Sequence, residues 1–126
     1  MTNFVLVHGG WHGGWCWREV EDYLRSKGHA VYCPTMTGLG ERCHLIDSVE
    51  GPDTHVTDIV NVIGWNELSD VVLVGHSYGG MIISGVASQI PERLETLIYL
   101  DAFVPTENDQ SAADLGSAPA EGRMTP

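Results

Sequence analysis

Val72-Leu73-Val74-Gly75-His76-Ser77-Tyr78-Gly79-Gly80-Met81 decides how the rest of this sequence is read. Val71 to Val74 is a fully apolar, β-branched run, as expected of a strand covered on both faces. From Met81 onward the apolar residues Ile82, Ile83, Val86, Ala87 and Ile90 mark one helical face. Between the two lies Gly75-x-Ser77-x-Gly79, a pattern that arises by chance in about 10% of chains this rich in glycine. The spacing alone therefore carries little, but its place between a buried strand and a helix carries more.

Working outward, Phe4–Val7 forms a first strand ending at His8-Gly9-Gly10. A helix follows from Trp17, with apolar positions 17, 20, 23 and 24 and Gly28 as its C-terminal cap. Ala30–Cys33 is a second strand, closed by Pro34. Residues 35–53 read as a long loop, and Thr54 as the N-cap of a helix carrying Val56, Ile59, Val60 and Ile63 on one face. Leu97–Leu100 is a fourth strand, ending at Asp101. Strand and helix alternate throughout, which predicts an α/β fold with a parallel sheet of about four strands and helices on both faces. Residues 1–105 make one core, without internal repeats or a second domain. Residues 106–126, poor in large apolar side chains, read as the start of a cap region or a mobile tail.

Seventeen acidic against six basic side chains leave a net charge of −11, which repels nucleic-acid backbones and anionic membrane surfaces. No window reaches the roughly 18 apolar residues of a membrane span, and Met1-Thr2-Asn3-Phe4 lacks the basic start of a signal peptide. A cytoplasmic setting is the expectation. Cys16, Cys33 and Cys43 fit neither a disulfide framework nor a paired metal motif, and are read as reduced and structural.

In its strand-to-helix setting the Gly75–Gly79 turn reads as a nucleophile elbow, so tight that only glycines tolerate the crowding around a strained serine. The same residues would also make a turn that merely packs closely. A serine nucleophile needs donors for the developing oxyanion, and backbone amides suit because they do not reorganise. Tyr78, first in the following helix, supplies one, and Gly10 in the glycine-rich turn after the first strand supplies the other. A bulky residue at Gly10 is expected to distort that turn. His8 reads as an orienting residue on the loop backbone, and His76 as structural, its side chain diverging from that of Ser77. His44 and His55 read as exposed loop histidines. Trp11, Trp15 and Trp17 read as core and loop anchors rather than an aromatic cage. Neither glycine-rich turn fits the G-x-G-x-x-G of dinucleotide binding.

Three further segments complete a pattern: His8-Gly9-Gly10-Trp11-His12-Gly13-Gly14-Trp15-Cys16-Trp17, Pro34-Thr35-Met36-Thr37-Gly38-Leu39-Gly40-Glu41-Arg42, and Tyr99-Leu100-Asp101-Ala102-Phe103-Val104-Pro105. With the Ser77 turn they resemble the α/β-hydrolase superfamily, in the branch of small bacterial esterases, plant methyl-ester esterases and hydroxynitrile lyases. The resemblance implies Ser77 as nucleophile, Gly10 and Tyr78 as oxyanion positions, a small ester as substrate, and no metal or organic cofactor. It makes Asp101 a candidate triad acid, although most relatives place the acid one strand later. It also implies a histidine after the acid, whereas all six histidines, at 8, 12, 29, 44, 55 and 76, precede Ser77. The expectation is the N-terminal half of such a fold, its C-terminal strands and catalytic histidine supplied by a second piece or a missing segment. A serine esterase leads, a cyanohydrin-cleaving lyase follows, and a receptor that keeps the pocket without turnover is the third reading. Lyases of this branch carry Thr where this chain has Gly9, which lowers the second.

Overall fold

The computed structural model describes residues 1–105, and residues 106–126, the expected cap or tail, lie outside them. Four strands, β1 (Asn3–Val7), β2 (Ala30–Tyr32), β3 (Val71–Ser77) and β4 (Leu94–Ala102), form one parallel sheet in the order β2-β1-β3-β4. Three α-helices connect them: α1 (Arg18–Ser26), α2 (Pro52–Trp65) and α3 (Gly79–Gln89). The predicted architecture is present, with longer third and fourth strands than the apolar runs alone implied.

Strand alternation divides the core into two layers. Val5, Val7, Val71 and Leu73 face α2 and α3, where they meet Val56, Ile59, Ile63, Ile82, Ile83 and Val86. Leu6, Val72 and Val74 face the other way and pack with Val31 and Trp17, against which Leu24 of α1 leans. Ile59, Ile63, Ile82 and Ile83 are completely buried, each contributing about 1.5–3 kcal/mol relative to exposure. The α1 layer is thinner than its periodicity suggests: Val20 and Tyr23, expected on the packed face, are 43% and 61% exposed. This nine-residue helix packs on β2 at the sheet edge, and only Trp17 just before it and Leu24 reach the core.

Two local readings are corrected. The stretch expected to be a plain loop contains a 3-10 segment, Gly40–Ser48, kinked at Arg42. The α2 N-cap is Gly51, at φ +147°, with Pro52 opening the helix. Thr54 lies inside the first turn, its hydroxyl accepting the Glu50 N–H at 3.1 Å. Proline at the first helical position carries the fixed φ a helix start needs, so the helix begins earlier than a threonine cap would place it. Gly28 closes α1 at φ +89°, as expected. Among the described residues, no helix is long and apolar enough to cross a membrane.

Candidate active site

Ser77 ends β3, is buried, and has φ +55°. A β-carbon on Gly75 would stand 2.5 Å from the Gly79 carbonyl oxygen, and one on Gly79 would stand 2.7 Å from that of Val7. Both positions of the G-x-S-x-G pattern are thus closed to any larger residue, the crowding that holds a serine in left-handed backbone. Tyr78 follows in helical conformation and caps α3. Its N–H belongs to the set that helix geometry leaves without an intrahelical acceptor, at the positive end of the helix dipole.

The glycine-rich turn after β1 runs beside this elbow. A β-carbon on Gly9 would lie 3.0 Å from Ser77 Cβ and 3.2 Å from the His76 carbonyl oxygen. Gly10 differs: nothing stands within 4 Å of a β-carbon there. A single added carbon is thus accommodated at Gly10, and the tight approach falls one residue earlier, at Gly9. His8, wholly buried, holds the turn from within: its Nδ1 lies 2.7 Å from the Gly9 carbonyl oxygen, and its Nε2 accepts the Met36 N–H at 3.0 Å. Because Nε2 accepts, Nδ1 carries the proton and donates. Burial holds the His8 pKa below its ordinary 6.5, against the opposing pull of the Gly9 carbonyl. Gly14 N–H donates to Thr35 Oγ1 at 2.8 Å, and Thr35 donates on to Glu41 Oε2 at 2.7 Å, which draws the Glu41 carboxyl below its usual range.

Asp101 sits where β4 leaves register with β3: His76 pairs with Leu100 and Ser77 with Ala102, so Asp101 is bulged out, exposed, at φ +48°. Two residues on, Phe103 N–H donates to the Ser77 carbonyl at 3.2 Å. The structure thus brings Ser77, Tyr78 and the Gly9-Gly10 turn together at the C-terminal end of the parallel strands, with Asp101 on the adjoining strand end. That is where open α/β sheets bind ligands. A hollow lined by Ala87, Pro91, Leu94, Glu95, Thr96 and Leu97 lies at the opposite, N-terminal end of β4 and belongs to a different place.

His76 points to the α1 side, its ring 6.4 Å from that of Trp17 and stacked 6.3 Å from that of His12, so it diverges from Ser77 as expected. The tryptophans separate. Trp17 is a core anchor; Trp15 is half-exposed beside His12; Trp11, at φ +67°, is 95% exposed and anchors nothing. His44 is exposed as expected, but His55 is not. It is 5% exposed, with Nδ1 2.8 Å from the Tyr78 hydroxyl and Nε2 2.9 Å from the Thr37 carbonyl oxygen. Its place one residue before Val56, in a helix with buried Val56 and Ile59, was the available signal. Among the described residues, no three His, Cys, Asp or Glu side chains gather as a metal site requires.

Comparison with known proteins agrees with this geometry. The profile described as the alpha/beta hydrolase family matches residues 4–125. A carbendazim hydrolyzing esterase from Nocardioides is 52% identical over 118 residues, covering 94% of this chain and 49% of that protein. Methylesterase 9 of Arabidopsis thaliana is 32% identical over 129 residues, covering 98% and 50%. Among solved structures, an extracellular alpha/beta-hydrolase from Paenibacillus superposes with TM-score 0.80 at 31% identity, covering 98% of this chain and 53% of that one. The chain spans about half the length of the curated relatives it matches. With its parallel sheet, its serine elbow and this match across nearly its whole length, the chain belongs to the alpha/beta hydrolase family.

Proposed function

We propose that this chain is the nucleophile-bearing half of a serine esterase that cleaves a small carboxylic ester through an acyl-enzyme. The observation that carries the reading is Ser77 itself, buried at φ +55° in a turn that only glycines can flank, with Tyr78 opening α3. In this reading Ser77 attacks the carbonyl carbon and its proton passes to a histidine. The Tyr78 and Gly10 amides hold the oxyanion until the alcohol leaves, protonated by the same histidine, and water then releases the acid. Asp101 is the acid candidate within the chain.

The histidine is proposed to come from the C-terminal half of the enzyme, in the same polypeptide or as a second piece. Both ring nitrogens of His8 and of His55 are engaged. His29 accepts the Thr2 N–H at the far end of the sheet, and His76 turns to the opposite face. The names of the relatives supply first substrates to try: carbendazim and methyl esters. A cytoplasmic setting accords with three free cysteines.

Hydrolysis of p-nitrophenyl acetate by the enzyme with its C-terminal half present tests the reading. Ser77→Ala should lower kcat by about 10³-fold or more with the melting temperature little changed. Turnover by Ser77→Ala within tenfold of the unsubstituted enzyme overturns it. Binding of small esters with no turnover by the unsubstituted enzyme favours the receptor.

A further inference from the structure

We infer that His55 is a positioning residue for the elbow: by holding the Tyr78 hydroxyl it fixes the orientation of Tyr78, whose backbone N–H is one donor of the proposed oxyanion hole. The inference rests on the serine-esterase reading above.

The hydrogen bonds around His55 have one self-consistent direction. Asp58 uses both carboxylate oxygens on Thr37, accepting its N–H at 2.7 Å and its hydroxyl at 2.8 Å. Thr37 is thereby pinned to α2, and its carbonyl can only accept, so His55 Nε2 carries the proton and donates at 2.9 Å. Neutral imidazole then leaves Nδ1 as an acceptor, and the Tyr78 hydroxyl donates to it at 2.8 Å. Burial pushes the Tyr78 hydroxyl up to about 12, so it remains a donor at any working pH. With His55 only 5% exposed, water hardly competes for either nitrogen.

The result is a polar line from Asp58 through Thr37 and His55 to Tyr78, beside a layer built mainly of valine, isoleucine and leucine with Met36. A buried imidazole without partners costs several kcal/mol, and an apolar side chain would fill the same volume more cheaply. What the imidazole adds is direction. Ser77 holds a strained conformation, which persists only where its surroundings over-determine it, and the Tyr78 side chain is the next residue's handle on that peptide. Oxyanion donors act only within about 2.7–3.1 Å of the charge, so a small rotation of the Tyr78 amide is felt in the transition state. The same strap, residues 35–37, also grips the other side of the site, through Met36 N–H on His8 and Thr35 on Gly14. One short segment thus spans both proposed oxyanion donors.

The test uses the enzyme with its C-terminal half present, comparing Tyr78→Phe, His55→Ala and the double variant on p-nitrophenyl acetate. A trifluoromethyl ketone, whose serine adduct bears an oxyanion, serves as the second probe. Each single substitution should lower kcat on the order of tenfold with KM within about twofold, and weaken the ketone by the same factor as kcat. The double variant should be no worse than the worse single, because both remove one interaction. A merely structural role would lower the melting temperature and leave the ratio of ketone affinity to KM unchanged. Full kcat in Tyr78→Phe, additive losses, or a loss confined to KM overturns the inference. Tyr78→Phe keeps the ring, so it decides the matter even if His55→Ala fails to fold. Ser77→Ala in the same series separates the two ideas: if it retains turnover, the esterase reading fails, and if it alone is inactive, only the role of His55 does.

Discussion

Gly9 and Ser77 stand as close as a glycine permits: a β-carbon on Gly9 would lie 3.0 Å from Ser77 Cβ, with the His76 carbonyl oxygen 3.2 Å away. The turn after β1 and the elbow after β3 therefore share one packed seam, and Gly10, next in line, faces open space. A methyl at Gly9 must push the elbow or its own turn by a few tenths of an ångström, in a place built on strained backbone. A methyl at Gly10 meets nothing, and the backbone N–H proposed as donor survives it. Gly9→Ala should cost about 1–3 kcal/mol in stability and on the order of tenfold or more in kcat. Gly10→Ala should leave the melting temperature and kcat close to those of the unsubstituted enzyme. Equal losses at the two positions would contradict the seam.

His8 ties stability to pH. Wholly buried, it accepts the Met36 N–H through Nε2, and protonation there would break that bond. Burial lowers its folded pKa below 6.5. On acidification the unfolded chain therefore takes up this proton first. The His8 contribution to stability is fully present above pH 6.5 and is lost as pH falls toward the lower folded value. Its share of the slope is at most about 1.4 kcal/mol per pH unit. Urea midpoints measured from pH 8 to pH 5 should fall for the unsubstituted protein. His8→Asn, less stable at pH 8, should show a shallower decline, and parallel curves would remove His8 from the account.

How much of this was legible in the sequence follows from which interactions are local. Val71–Val74 and the face from Ile82 to Ile90 announce a strand and a helix because burial repeats with the period of each element. The glycines around Ser77 announce the turn because only sterics could demand them. The 3-10 segment Gly40–Ser48 has no buried residue and hence no hydrophobic period to read. The burial of His55 has a local signal, its place beside Val56 in a helix with buried Ile59 and Ile63, but its partners Thr37 and Tyr78, 18 and 23 residues away, are encoded by no pattern near position 55. The crowding at Gly9 rather than Gly10 depends likewise on β3, distant in sequence and adjacent in the sheet.

The cysteines should separate by reactivity. Burial, reinforced by the Glu21 carboxylate beside it, pushes the Cys33 thiol up to about 12, while Cys43 is exposed. At pH 8 only about one Cys33 in ten thousand is thiolate, and the thiolate is the reactive form. Iodoacetamide on the native protein should modify Cys43 first and Cys33 only once urea unfolds the chain, read by peptide mass spectrometry. Comparable rates at both positions in the folded protein would mean that Cys33 is far more accessible than its packing against the Leu6–Trp17 layer indicates.

The final prediction concerns the outer strand. On one face of β4, Leu97 and Tyr99 pack against the layer of α2 and α3. On the other, Ile98 and Leu100 are 41% and 49% exposed, because α1 packs at β2, on the opposite edge of the sheet. Among the described residues β4 pairs only with β3, so its outer backbone groups and these two side chains form the kind of apolar edge that templates self-association. The 126-residue chain expressed alone should therefore elute in size-exclusion chromatography as concentration-dependent oligomers. Ile98→Lys with Leu100→Lys should shift it toward monomer, with a stability change within about 0.5 kcal/mol per site, because little contact is lost. Within the proposed complete enzyme, further strands would cover this face, and the same pair of lysines would bury two charges. There they should cost several kcal/mol and abolish cooperative folding or activity. A monomeric parent chain, or a complete enzyme indifferent to both lysines, would show that nothing docks on this side of β4.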